Sequence, residues 1–317
     1  MNTYMKTKFA IGCLVQWYEC EIIEEYVNSL KEAIKNYDGE VIVDFYINSN
    51  QDLEKCISPN KLEECLTKIR NILLPFNVIE NNTLFTIADY RRKFLEEYHN
   101  KAEVLIQGES DALMPRQTFT VLDMLHQQVK DTTPKYISTF GICKMWDNSW
   151  KPLEHKDFTD KPFKDLDFDN WWSHHYTMTL EEMNSFNNKV EDLEIINIKP
   201  HKFNGCGFII SSDTVKAGVN VPRGAFFIDD SALLAMAHKI LPDMPQYHFQ
   251  NILIVHNRHH PKKRMYVKDE SGANHEKRLS NNWYNIANNF CKINDANIFN
   301  PSHKFYTWDD VWEKIKK

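Results

Sequence analysis

Residues 8–48 constrain the fold more than any other stretch of this chain. "KFAIGCLVQW" is an unbroken apolar run of strand length, and "IIEEYVNSLKEAIKNY" follows it with Ile23, Tyr26, Val27, Leu30 and Ile34 on one helical face. Asp38-Gly39 punctuates, and "EVIVDFYIN" is a second β-branched run that ends in the polar "SNQD". Two buried strands joined by a helix make a βαβ unit, which requires a parallel sheet with helices packed on it. The alternation continues. "NKLEECLTKIRNILL" predicts a helix, "TLFTI" a short strand, "ADYRRKFLEEYHN" a helix and "AEVLIQG" another buried strand. Pro115 suits a first helical turn, and "RQTFTVLDMLHQQVK" continues as a helix. The expected class is α/β: a Rossmann-like, mixed and mostly parallel central sheet flanked by helices.

Beyond residue 130 the pattern loosens. Residues 155–190 are acidic, aromatic and weakly periodic, which predicts a surface excursion or lid. A glycine-flanked strand is expected at "NGCGFIISSDTV", a helix at "SALLAMAHKIL", a late strand at "FQNILIVHN" and a closing helix near "FYTWDDVWEKIKK". The chain therefore divides into a βαβ half (1–130), a second half of the same domain (131–270) and a helical tail (271–317).

With 317 residues and a net charge of −6, a sequence-independent nucleic-acid binder is disfavoured, although "HNRHHPKKR" concentrates basic residues locally. The seven cysteines contain no C-x-x-C pair, so neither a disulfide framework nor a zinc ribbon is indicated. The lysines and apolar run near the N-terminus lack a small-residue cleavage site and lead straight into Glu19 and Glu21, which reads as a first strand. No stretch approaches the roughly 20 apolar residues of a membrane span. A soluble, cytoplasmic protein is expected.

Three constellations carry chemistry. The buried strand 102–107 breaks at Gly108 and is followed by Glu109-Ser110-Asp111. Ligands of open parallel sheets bind beyond the strands' carboxyl ends, and two carboxylates at such an end suit a hard divalent cation. The competing role is a solvated turn with Asp111 as a helix cap. Asp229 and Asp230 follow the apolar "AFFI" and precede a helix; one caps it, and the other is placed to take a proton from a hydroxyl. His256 closes an apolar strand, with His259, His260, Lys262, Lys263 and Arg264 behind it. Imidazole can complete a cation's shell, and the basic cluster can neutralise a diphosphate, unless it is simply a solvated loop. A zinc site using His174 and His175 lacks a His-x-x-x-His helix or a cysteine partner.

In this order, the βαβ half, the E-S-D turn, the acidic pair before a helix and the late strand ending in histidine resemble the GT-A superfamily of nucleotide-sugar-dependent glycosyltransferases, in its compact viral and bacterial form. The resemblance spans about residues 8 to 265. It implies that Glu109 and Asp111, completed by His256, hold Mn2+ or Mg2+ against the diphosphate of a nucleoside-diphosphate sugar, a UDP-sugar first among them, with Ser110 beside the donor. It implies the nucleoside against Val15, Gln16 and Trp17 and against Asn48 and Asn50, with Asp89 and Arg92 as polar contacts from the preceding helix. Asp230, with Asp229 beside it, is implied as base, and Lys262, Lys263 and Arg264 as further diphosphate contacts. The first metal acid is Glu where the family has Asp, and the downstream pair is Asp-Asp where it often has Glu-Asp. Gly205-Cys206-Gly207 would let backbone approach the sugar or acceptor closely, or form a strand-edge turn.

The acceptor hydroxyl is that of a glycan, a protein or a hydroxymethylated base in viral DNA; Trp171, Trp172 and Tyr176 could stack on an extruded base. Two other classes compete. A metal-dependent hydrolase or phosphoryl-transfer enzyme would normally show a third carboxylate or a phosphate-cradling G-x-x-x-x-G-K, which the sequence lacks. A non-catalytic sugar-binding protein on the same fold would bind without turnover.

Overall fold

A computed structural model describes residues 5–15, 22–48, 61–72, 76–81, 86–144, 148–161, 176–199, 201–202, 207–227, 229–259 and 283–315. Its strands are β1 (Phe9–Val15), β2 (Val41–Asn48), β3 (Asn77–Asn81), β4 (Val104–Glu109), β5 (Ala112–Leu113), β6 (Ile137–Gly141), β7 (Ile195–Asn197), β8 (Phe208–Ser211), β9 (Gln246–Leu253) and β10 (Val255–His256). The helices are α1 (Ile23–Lys35), α2 (Lys61–Ile72), α3 (Ile87–Tyr98), α4 (Thr118–Val129), α5 (Leu180–Asn187), α6 (Ser212–Lys216), α7 (Asp229–Ile240), α8 (Trp283–Ala296) and α9 (Trp308–Ile315).

Eight strands form one sheet in the order β3-β2-β1-β4-β8-β6-β9-β7. β1 lies parallel to β2 and β4, β2 to β3, and β6 to β9. The pairings β4–β8, β8–β6 and β9–β7 are antiparallel. This is the mixed α/β architecture the sequence predicts.

The strands read as continuous apolar runs because both faces of the sheet are covered. Along β1, Phe9, Ile11, Cys13 and Val15 join a core with Ile23, Tyr26, Val27 and Leu30 of α1 and Phe119 and Leu122 of α4. Ala10 and Leu14 point the other way, into a core with Tyr90, Phe94 and Leu95 of α3 and Leu233 of α7. The period of two along each strand thus feeds two cores, one per face.

Three details differ from the sequence reading. A strand lies at Asn77–Asn81, and of "TLFTI" the described residues Thr86 and Ile87 cap and begin α3, Thr83–Phe85 lying outside the described residues. Thr86 and Asp89 form a reciprocal capping box that fixes the start of the helix there. The late strand "FQNILIVHN" is two strands: β9 stays in the main sheet and β10 leaves it to pair antiparallel with β5. Finally, the described ends of the expected excursion 155–190 are packed inward. Phe158 and Met183 are buried with Leu113, Cys143, Leu253 and Val255. Residues 162–175, with Trp171, Trp172, His174 and His175, lie outside the described residues.

Candidate functional site

The parallel strands set one edge of the sheet apart. In register, Val15 of β1 faces Ile47 of β2, and Leu14 faces Glu109 of β4. Val15, Asn48 and Glu109 therefore end three adjacent strands on the same edge, where the chain opens into turns. Gln16, Trp17, Asn50 and the basic Lys262, Lys263 and Arg264 lie outside the described residues, as do His174, His175, Gly205 and Cys206.

The turn after β4 depends on Gly108. A Cβ there would stand 2.2 Å from the Tyr26 hydroxyl oxygen, so only glycine lets α1 pack this close to the strand end. Glu109 then leaves the core half-exposed, Ser110 turns inward to full burial, and Asp111 turns outward again. β5 follows at once and pairs with β10, so that Ala112 faces His256. The Asn257 amide donates to the Asp111 carbonyl at 2.8 Å and closes the turn. This small sheet brings together two groups that are 145 positions apart in sequence: His256 Nε2 lies 3.9 Å from Asp111 Oδ2, with side chains 11% and 18% exposed. Neighbouring ligands of one octahedral cation stand about 3.0 Å apart at metal–ligand distances of roughly 2.1 Å, so the pair would close by about 1 Å around a shared ion. Among the described residues no group of three or more His, Cys, Asp or Glu side chains forms a metal-holding cluster.

Glu109 takes a different partner. Arg91 of α3, its side chain 3% exposed, forms an ion pair with Glu109 and a second, at 2.6 Å, with Asp229 Oδ2 in the first turn of α7. A guanidinium presents several donors in a fixed plane, so one arginine can bridge two carboxylates. Burial raises the Asp229 carboxyl above the usual aspartate range, with Asp230 adding to the rise and Arg91 opposing it. Asp230, next along the helix, is only partly buried and accepts the Ser231 amide at 2.6 Å. Both acids occupy the first helical turn, where unpaired amides and the helix dipole favour negative charge. The preceding "AFFI" is not a strand where it is described.

Sequence reasoning named Arg92 and Asp89 on α3 and passed over Arg91. Arg92 faces another side of the helix: its guanidinium donates to the carbonyls of Val221, Pro222 and Ala225 at 2.7–3.1 Å and pairs with Asp89 at 2.9 Å. Asp89 is also the α3 capping partner of Thr86. These contacts hold the fold together. The signal for Arg91 was present, since Ala88, Arg91, Leu95 and Tyr98 recur at helical spacing on one buried stripe. An arginine in an apolar stripe must meet an anion.

Other predicted residues fall near this edge. Gly207 has φ of +107°, a left-handed conformation that other residues rarely adopt, and leads into β8, whose Phe208 faces Gln107 of β4. His259 Nδ1 lies 3.0 Å from Glu25 of α1, away from the Asp111–His256 pair in its contacts. Tyr176 is half-buried, stacked edge-on against Phe158 at 5.5 Å.

No protein-family model matches the chain, and no curated protein matches it. Among the solved structures that match are two. One is a mycobacterial protein, 7% identical with a TM-score of 0.45, over 80% of this chain and 68% of the other. The second is GalNAc-T7 with UDP, GalNAc and Mn2+, 12% identical with a TM-score of 0.49, over 98% of this chain and 55% of the other. At TM-scores under 0.5, neither likeness bears on what this chain binds or does. No helix among the described residues is long and apolar enough to cross a membrane.

Proposed function

We propose that this chain is a metal-dependent glycosyltransferase that moves a sugar from a nucleoside-diphosphate sugar, with UDP as the first nucleotide to test, to an acceptor hydroxyl. The observation that carries the reading is the approach of His256 to Asp111 at the carboxyl edge of the sheet. A two-stranded sheet built from residues on either side of the domain has the effect of bringing an imidazole and a carboxylate to one point. The Asp111 carboxylate fits either Mn2+ or Mg2+, and the His256 nitrogen favours Mn2+ of the two; waters and phosphate oxygens would take the remaining positions. When bound, such an ion neutralises charge building on the diphosphate as it leaves.

The chain's own residues divide the remaining work. Asp111 and His256 hold the ion, and Glu109 stands behind them locked to Arg91. Val15, Asn48 and the residues just after β1 and β2 flank the nucleoside. Asp230 is the base, because it is the accessible member of the acidic pair; Asp229 is committed to Arg91. Lys262, Lys263 and Arg264 follow His256 closely in sequence and supply positive charge to the diphosphate.

A thermal-shift screen of nucleotide sugars with and without Mn2+ tests this directly, because a ligand that binds only the folded state raises Tm. Mn2+-dependent stabilisation by a UDP-sugar is expected. Stabilisation by no nucleotide in the presence of the metal overturns the reading. The acceptor is a glycan or protein hydroxyl, or a hydroxymethylated base in DNA, and salt separates them: a DNA acceptor loses binding steeply between 50 and 200 mM salt.

A further inference from the structure

Asp229 and Asp230 reach the candidate site at the end of an irregular segment, residues 221–227, that is gripped from two sides. From α3, Arg92 donates to the carbonyls of Val221, Pro222 and Ala225. From the other side come the last two described helices. Asn294 of α8 is fully buried, and its amide donates to the Gly224 carbonyl at 3.1 Å and the Tyr306 carbonyl at 3.0 Å. Its Oδ1 accepts the Tyr306 amide at 2.8 Å, so one side chain ties the segment, α8 and the approach to α9 together. The contact is close. A Cβ on Gly224 would stand 2.6 Å from Asp295 Oδ1 and 2.8 Å from the Asn294 Cβ.

Aromatic packing extends the grip. Phe226 and Phe227 meet the Trp308 ring edge-on at 5.4 and 5.3 Å, and Cys291 lies 3.7 Å from the Phe227 carbonyl. Phe226, Ala287, Cys291 and Val311 form a separate buried cluster around these contacts. Two residues after Phe227, Asp229 is caught by Arg91. The helix pair α8–α9 meets the E-S-D turn in none of these contacts; it packs on the segment that delivers the acidic turn.

We infer that α8 and α9 set the position of Asp230, with Asn294 and Trp308 as positioning residues that act through residues 221–227 rather than on substrate. This rests on the glycosyltransferase reading for its kinetic consequence, though not for its structural one. A shift of about 1 Å in a reacting group costs on the order of a hundredfold in rate. Loosening the grip should therefore slow transfer and spare the donor site, which is proposed at the ends of β1, β2 and β4 and on β5 and β10.

The test uses the full chain with Asn294→Ala, Gly224→Ala, Trp308→Ala and Trp308→Phe. Hydrogen exchange read by mass spectrometry should rise at least about tenfold over residues 229–240 in the first three and stay unchanged over 104–113, with Trp308→Phe restoring most of the protection. In transfer assays the first three variants should lose on the order of a hundredfold in kcat with an unchanged Kd for UDP in Mn2+. Exchange rising equally in both segments, or donor affinity falling in step with kcat, overturns the inference by showing general destabilisation. Unchanged exchange over 229–240 overturns it whatever the kinetics. If the wild-type chain turns over no nucleotide sugar, the functional reading fails, and the exchange data alone still decide whether α8 and α9 hold the acidic turn.

Discussion

Replacing Arg91 by methionine keeps much of the side chain's length and removes its charge. In the native structure that charge lies between two carboxylates, 2.6 Å from Asp229 and in contact with Glu109. The Asp229 side chain is 9% exposed and Glu109 is 23% exposed, so the aspartate bears most of the loss. Two unit charges about 4 Å apart at an effective dielectric of about 20 attract by about 4 kcal/mol. Breaking one side of a buried pair typically costs about 3–5 kcal/mol, which agrees. For a chain of this length, that range corresponds to a fall in Tm of about 4–8 °C.

The cost must depend on pH, and its sign is fixed. Burial already raises the Asp229 carboxyl, and Arg91 opposes the rise. Without Arg91 the carboxyl moves further up. An acid whose folded pKa lies above its unfolded value destabilises the fold when ionised, and that penalty fades as pH falls and the group takes up a proton. Urea denaturation of Arg91→Met should therefore show a larger deficit against wild type at pH 8 than at pH 5. Adding Asp229→Asn should return much of the pH 8 loss, a coupling that a double-mutant cycle reads directly. A deficit below about 1 kcal/mol at pH 8, or one equal at the two pH values, would refute the argument that Arg91 is a buried counter-ion.

Other outcomes follow from the same geometry. Asp111→Ala should abolish Mn2+-dependent UDP binding in calorimetry, and Asp111→Asn, which keeps the volume of a side chain only 18% exposed, should do the same. Asp230→Asn should keep donor affinity and lose about 10²- to 10⁴-fold in transfer rate, and lost donor affinity would remove it from the base role. Gly108→Ala should destabilise by about 1–3 kcal/mol through the Tyr26 clash. Tyr26→Phe removes the hydroxyl oxygen that the new Cβ would meet and should relieve Gly108→Ala in the double variant. His248 is buried and its pKa is depressed to about 4. The depressed imidazole favours the fold above the unfolded value near 6.5 and loses that contribution as pH falls toward 4, about 3 kcal/mol in all, and His248→Gln should flatten that limb of the stability curve.

How much of this was legible depended on what each residue packs against. β1, β2 and β4 were plain because both of their faces are buried, which forces apolar residues at most positions, Asp44 and Gln107 being buried exceptions. β3 was missed because it pairs only with β2 at the edge of the sheet, so "NVIEN" carries little apolar signal, whereas "TLFTI" is apolar and ends in a helix cap. For the candidate site, the strand-end logic named Glu109, Asp111 and His256, but no spacing rule could show that Asp111 meets His256 while Glu109 turns to α3. That outcome depends on β10 leaving the main sheet. The choice between Arg91 and Arg92 was decidable in principle. Neighbours on a helix diverge by about 100°, and only one of the two lies on the buried stripe.

The departure of β10 also makes the segment from Leu253 to His256 intolerant of length changes. Leu253 is in register with Gly141 in one sheet, and Val255 with Leu113 in the other, with Ile254 alone between them. Side chains alternate along a strand, so deleting Ile254 would turn His256 to the far side of its ribbon and leave Asp111 facing a backbone. A conservative swap at that position costs little, but a missing codon there would uncouple the two halves of the domain at the point where they meet.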